Sequence, residues 1–512
     1  MNREFICMPS YPVVNTKCGK LRGFQANDIF HFYGIKYANA RRFMMPEETE
    51  PWEGIKDALS YGHVAPLMMQ DSPDGDIMGP HRFWPQSEDC QYLNIWTPAI
   101  DGNAAKPVLV WIHGGGYMAG SSLEMVAYDG ENLSAFGDMV VVSLNHRLNI
   151  LGYMDLSAFG EKYWNTANLG QADLVAALSW IRENIAAFGG DPDNVTLFGQ
   201  SGGGGKINAL LQTPAAEPLF TRAIIESGLW RENEFPHSTR ETSRLVVEAM
   251  LKELQLDRVE ELETIPYEDL TGAFFAVSPK FNAQGLETGF APLRNDWYKG
   301  NPLEVGFTDG ARKKAVMAGT TFAEFSFFPV RDKEKLTQEE RLELVKEHFG
   351  EYTDQILELF RKTYPDKNIV DVIALDAFLR DPAIAWFDTK GSGEGADNYA
   401  FVFAPDFNFD GGRPAWHCAE IPFAFHNVDK VPVANIPGIA QRLEEEVAGA
   451  WINFARCGDP NHDKLAPWRP YKCNDEVTMV FCESSHAWKD FDRELIQLIR
   501  KAAPPVMPGK TT

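Results

Sequence analysis

Phe198-Gly199-Gln200-Ser201-Gly202-Gly203 sets a serine between two glycines, after the apolar run Val195-Thr196-Leu197-Phe198 and before Lys206-Ile207-Asn208-Ala209-Leu210-Leu211. That order predicts strand, sharp turn, helix. A serine on such a turn is held in strained backbone geometry above a sheet edge, with its oxygen exposed and free helix amides beside it. The chemistry this suits is attack on a carbonyl. A hydroxyl is a poor nucleophile until a histidine takes its proton, and the histidine needs a carboxylate to orient it. The attacked carbonyl oxygen becomes an anion and needs amide donors. His113-Gly114-Gly115-Gly116-Tyr117 follows a strand immediately. Three glycines there let the loop fold tightly and aim consecutive amides inward, to meet the amide of Gly202.

These residues need elements to hold them. Pro107-Val108-Leu109-Val110-Trp111-Ile112 and Met139-Val140-Val141-Val142-Ser143-Leu144 are apolar without a polar face, which marks central strands covered on both sides. Residues 172–187 carry an amphipathic helix with Leu174, Ala177, Leu178, Ile181 and Ile185 on one side, stopped by Gly189-Gly190-Asp191-Pro192. Thr221 to Ser227, Ala315 to Thr321 and Asn398 to Phe403 are further strands, the last of these being the final strong one, and a closing helix is expected over about 437–456. The alternation is the βαβ pattern of a mostly parallel sheet. The fold class is therefore α/β, with a central, mostly parallel sheet flanked by helices. Residues 1–512 are expected to form a single catalytic domain, with helical insertions at about 236–285 and 333–380 around the cleft.

An α/β-hydrolase carries its residues in the order serine, acid, histidine. Of the eleven histidines, those up to His146 come too early. His348, His462 and His486 sit in polar segments, which leaves His237, His417 and His426. His417 lies on a loop after the strand ending at Phe403, among small residues, where a base can reach over the sheet edge. For the acid, Glu324 sits among aromatic residues directly after a strand, and a charge there needs a partner. Asp309 precedes that strand and Asp406 sits in a turn beside Pro405, so both are weaker candidates.

The motifs together resemble the type B carboxylesterase family, which includes the cholinesterases, over almost the whole chain. Phe32-Tyr33-Gly34-Ile35-Lys36-Tyr37-Ala38, Ser87-Glu88-Asp89-Cys90-Gln91-Tyr92-Leu93-Asn94, the elbow segment and the ending Ala450 to Pro460 all match its signatures. The resemblance implies an α/β-hydrolase fold and a serine esterase mechanism. It carries the roles of nucleophile, acid and base to Ser201, Glu324 and His417, and the oxyanion hole to Gly115, Gly116 and Gly202. Departures are visible. Gly-Gln-Ser-Gly-Gly stands where Gly-Glu-Ser-Ala-Gly is usual, so Gln200 removes a charge and Gly202 offers a less constrained amide. Thr321 and Phe325 replace an asparagine and a glycine beside Glu324. Cys90 resembles half of a family disulfide, but Ala65 to Gln70 holds no partner cysteine.

The formal net charge of −24 argues against nucleic acid and anionic membranes as partners. No apolar run reaches signal or membrane-span length. The seven cysteines are scattered without a Cys-x-x-Cys pair, so free thiols in a cytoplasm and no metal site are expected, and the missing partner of Cys90 in the family resemblance implies a cytoplasmic, microbial protein. The expected partner is a small-molecule ester of neutral aryl or short-to-medium-chain type, processed through an acyl-enzyme with no cofactor by a monomer or small homo-oligomer. An amidase, thioesterase or lactonase using the same three residues is the alternative, and a silent binding protein of the same fold a remote one. Ser227, Tyr117, Trp230 and Phe325 are expected near the triad or in the cleft wall, with Met68, Met69, Phe274, Phe275, Phe322 and Phe328 as further wall candidates. No acidic residue is assigned to the cleft.

Overall fold

A computed structural model describes residues 4–68, 82–235, 237–326 and 330–503. Met69 and Phe328 lie outside the described residues. Among the described residues, twelve strands form the main sheet. In chain order they are β1 (Phe5–Ile6), β2 (Phe24–Ala26), β3 (Ile29–Lys36), β4 (Tyr92–Thr97), β5 (Lys106–Ile112), β6 (Val140–Leu144), β7 (Gly190–Gln200), β8 (Arg222–Glu226), β9 (Ala315–Thr321), β10 (Asn398–Phe403), β11 (Val477–Phe481) and β12 (His486–Lys489). Across the sheet the order is β1-β2-β3-β4-β6-β5-β7-β8-β9-β10-β11-β12. The run from β6 to β11 is parallel, and antiparallel pairs close both edges. This is the α/β-hydrolase fold, with the chain order of the strands reversing where β5 lies between β6 and β7.

The two faces of the sheet explain the apolar runs. Leu109, Trp111, Val141, Phe198, Ile224 and Met317 point into one core, which the helix Ala440–Cys457 covers with Leu443, Val447 and Trp451. Their neighbours Val108, Val110, Val142, Leu197, Ile225 and Ala318 point into the other, beneath the helices Leu169–Asn184 and Gly202–Leu211. Side chains alternate across a strand, so a strand buried on both faces can carry no polar side. The helices Arg240–Glu253 and Tyr267–Asn282 fall within the first expected insertion and pack Val247, Met250, Leu270 and Phe274 around a third cluster.

The C-terminal end holds more elements than the expected closing helix. After β10 the sheet gains β11 and β12, and the helix Arg493–Ala502 follows the helix Ala440–Cys457. The buried segment Val477-Thr478-Met479-Val480-Phe481 is short and flanked by charge, so its pattern is faint until β10 pairs with it. Asp406, read as part of a turn, lies in a two-residue strand paired with Arg413–Pro414, and that pairing leads straight to the His417 loop.

Candidate active site

β7 ends at Gln200 and the helix Gly202–Leu211 starts two residues later. Ser201 between them has φ 56° and ψ −126°, a region that non-glycine residues rarely occupy and that costs about 1–3 kcal/mol. Two backbone bonds hold it there: Ser201 N donates to Glu226 O at 2.8 Å, and Gly205 N to Ser201 O at 3.0 Å. The helix can leave at this angle because it crosses β5 without a side chain between them. A Cβ on Gly203 would sit 2.0 Å from Ile112 O.

Glu324 follows β9, and its side chain is fully buried. One carboxylate oxygen accepts from Ser227 Oγ and from Thr321 N, both at 2.7 Å. The other lies 2.5 Å from His417 Nδ1. Because a carboxylate only accepts, Nδ1 carries the proton in this pairing, and Nε2 is the atom left with a lone pair. A backbone bond from His417 N to Glu324 O at 2.9 Å ties the two loops together. Ser227, Glu324 and Cys418 share the positive φ of Ser201, so the strained residues of four segments converge on one place.

Other carboxyl groups surround Glu324. Burial pushes Glu226 and Asp376 up to about 7 and Glu420 well above the ordinary range. The Glu324 charge adds to the rise at Asp376 and Glu420.

Ser201, His417, Gly114 and Gly115 line one cleft of about 520 Å³. No hydrogen bond joins Ser201 Oγ to His417 among the described residues. Gln200 Nε2 lies 3.2 Å from His417 Nε2 and 3.4 Å from Nδ1. In the ring plane such a position would collide with the carbon between the nitrogens, so the amide sits over the ring face. Gln200 Oε1 accepts from Cys418 Sγ at 3.2 Å. Catalytic hydrogen bonds in ligand-free sites are often long and tighten in the substrate complex.

Gly115 and Gly116 adopt φ 81° and 63°. Among the described residues, neither they nor Gly202 donate a backbone hydrogen bond. A Cβ on Gly202 would lie 2.2 Å from Gly116 O and 2.5 Å from its N and Cα. This corrects the expectation of a looser amide. Gly202 is wedged against the glycine loop, which approaches too closely for alanine.

The aromatic expectations divide. Met68, Phe275 and Phe325 line the cleft, and so do Phe83, Trp84 and Met118, which the sequence did not single out. The Phe325 ring lies 4.3 Å from that of His417. Tyr117 and Trp230 instead line a separate cavity of about 40 Å³, with Asn208 and Tyr298. Phe322 and Phe274 fill core. Glu124 and Arg82 both line the cleft, where the sequence assigned no acidic residue. Glu124 comes from a loop whose side-chain direction no periodicity reveals, and its Oε2 accepts from Ser121 N at 3.1 Å.

A buried acid bonded to a histidine, beside a serine on a strained turn and unpaired amides, can activate a hydroxyl for attack on a carbonyl. Residues 10–494 match the model of the carboxylesterase family. The chain belongs to that family. The para-nitrobenzyl esterase of Bacillus subtilis (strain 168) is 33% identical over 485 residues, covering 92% of this chain and 95% of the relative. The phenmedipham hydrolase of Pseudarthrobacter oxydans is 32% identical over 490 residues, covering 92% and 95%. Among solved structures, an esterase from anaerobic Clostridium hathewayi, described as able to hydrolyse aliphatic aromatic polyesters, is 47% identical with a TM-score of 0.94. That match covers 98% of this chain and all of the other. Membership makes this chain an esterase of the serine hydrolase type. All seven cysteines are free thiols, so Cys90 lacks the disulfide that its motif resembles. Among the described residues, no helix is long and apolar enough to cross a membrane, and no group of His, Cys, Asp and Glu is placed to hold a metal.

Proposed function

We propose that this carboxylesterase hydrolyses neutral aryl and short-to-medium-chain carboxylic esters through an acyl-enzyme on Ser201. The observation that carries the proposal is the fully buried Glu324 carboxylate, 2.5 Å from His417 Nδ1, in the cleft that also holds Ser201 on its strained turn. His417 Nε2 accepts the Ser201 proton as Oγ attacks the ester carbonyl. Glu324 keeps the imidazole in that tautomer and stabilises its cation. The amides of Gly115, Gly116 and Gly202 bind the oxyanion, each donor contributing about 3 kcal/mol to the transition state. His417 then protonates the leaving alcohol, and water repeats the sequence on the acyl group.

The cleft wall favours apolar and aromatic groups on the substrate. Phe83, Met118 and Phe275 are exposed at 61%, 39% and 37% yet line the cleft, so its mouth carries an apolar rim on which an extended substrate can lie. The polyester activity described for the Clostridium hathewayi esterase fits such a rim, and oligomeric aryl esters are included in the proposal. A fluorophosphonate adduct located on Ser201 by peptide mass spectrometry tests the nucleophile, and label elsewhere refutes it. A panel of p-nitrophenyl esters, aryl diesters and emulsified triglycerides tests the scope. Highest kcat/KM on long-chain triglycerides would overturn the substrate assignment.

A further inference from the structure

Lys206 lies in the first half of the helix that begins at Gly202, and its side chain is fully buried. Lysine is a costly choice there. Burial removes its hydration, and a cation near a helix N-terminus opposes the helix dipole. The first turn of the helix carries no acid to offset it. What Lys206 reaches is the glycine loop: Nζ donates to His113 O at 3.0 Å and approaches Gly114 O at 3.5 Å. Gly114 O has a second donor, His113 Nδ1 at 3.0 Å. Since a carbonyl only accepts, His113 holds its proton on Nδ1.

The geometry of the peptide unit gives these contacts their consequence. In a trans peptide the C=O and N–H point in opposite directions. With His113 Nδ1 at 3.0 Å and Lys206 Nζ at 3.5 Å both on Gly114 O, the Gly115 amide of the same peptide is turned the other way, which we read as the side of the cleft that Gly114 and Gly115 line. A cation on the carbonyl side also polarises that peptide and strengthens its N–H as a donor. The two imidazoles nearby add no charge of their own. His113 and His146 stack at 5.1 Å, and burial, reinforced by the Lys206 charge, holds both well below the usual histidine range. The negative charge of Glu124 favours the charged form of Lys206.

We propose that Lys206 is a positioning residue for ester hydrolysis: its ammonium holds the His113–Gly114–Gly115 backbone so that the Gly115 amide faces the oxyanion, and it places a positive charge behind that amide. This rests on the oxyanion assignment above. Burial pushes Lys206 down to about 7. The ammonium is therefore charged at low pH and discharged as pH rises through neutrality, and its support of the Gly115 amide is lost in the same direction.

Lys206→Met tests the inference. Turnover of p-nitrophenyl butyrate should fall about 10- to 100-fold, the scale of one oxyanion donor or less, with KM within about twofold. Affinity for an aryl boronic acid, which mimics the tetrahedral intermediate, should fall in parallel. In the parent, kcat should decline above neutrality, and that limb should be absent in the variant. An unchanged kcat, a loss confined to KM, or an alkaline limb that persists in the variant would overturn the inference. If the variant does not fold, the parent profile decides: a kcat that stays flat from about pH 7 to the ordinary lysine value near 10 refutes it. A parent inactive on every ester would overturn the proposed function and the inference with it, whereas an active parent with an equally active variant overturns the inference alone.

Discussion

Gly202→Ala isolates the contact between the elbow and the glycine loop. The added Cβ would lie 2.2 Å from Gly116 O and 2.5 Å from Gly116 N and Cα. Carbon and oxygen meet without overlap at about 3.3 Å, so the Gly116 peptide must move by about 1 Å. All the obstructing atoms are backbone, and no side-chain rotation relieves the clash. An oxyanion donor acts only within a few tenths of an ångström of its best position, and a misplacement of about 1 Å can cost about a hundredfold in rate. We therefore expect kcat on p-nitrophenyl butyrate to fall about a hundredfold. Global stability should be little affected, because alanine is up to about 1 kcal/mol better than glycine in a helix. Initial rates over a substrate series, with thermal melting as the control, provide the assay. A variant with kcat within about threefold of the parent and an unchanged melting temperature would show that the loop yields freely, and the argument would be refuted.

Three further changes probe the groups behind the serine. Glu324→Gln should leave the fold intact and lower kcat by about 10⁴, because the amide favours the wrong histidine tautomer; a greater loss from Asp309→Asn would move the acid elsewhere. Ser227→Ala removes one of three donors to the buried carboxylate, a loss of about 1–3 kcal/mol, so both melting temperature and kcat should drop, and an unchanged pair of values would show the bond contributes nothing. Glu226 is pushed up from 4.5 to about 7 by burial while accepting from Trp451 Nε1 at 2.7 Å. The folded chain keeps a proton there that the unfolded chain releases, so this contribution favours folding at low pH and is lost as pH rises from about 4.5 through 7. Glu226→Gln should accordingly melt higher than the parent at pH 8 and like it near pH 4; equal differences at both values would contradict that assignment.

The parts of the site that were legible before folding are those whose chemistry is local. Gly199 to Gly203 encodes its own turn, His113 to Gly116 its own loop, and Glu324 and His417 each stand at the end of a pattern that strand formation makes readable. Their chain order together with the family resemblance selected them. The apolar runs of β5, β6 and β7 likewise required a sheet buried on both faces. What tertiary structure decided are relations between segments far apart in the chain. The helix from Gly202 to Leu211 is buried on every side, so no periodicity tells which way Lys206 points, and only packing brings it beneath the glycine loop. The Gly202–Gly116 contact depends on how closely the helix crosses β5, and the placement of Gln200 over His417 on where a loop 217 residues away comes to rest. Tyr117 and Trp230 are aromatic neighbours of the site in sequence, yet Gly205 lets the Trp230 ring approach to a position a side chain would fill, and both rings face the smaller cavity. A sequence encodes residue type and local spacing. Which side of an element faces which neighbour is settled only when sheet register and helix packing are complete, because those depend on the summed burial of many residues at once.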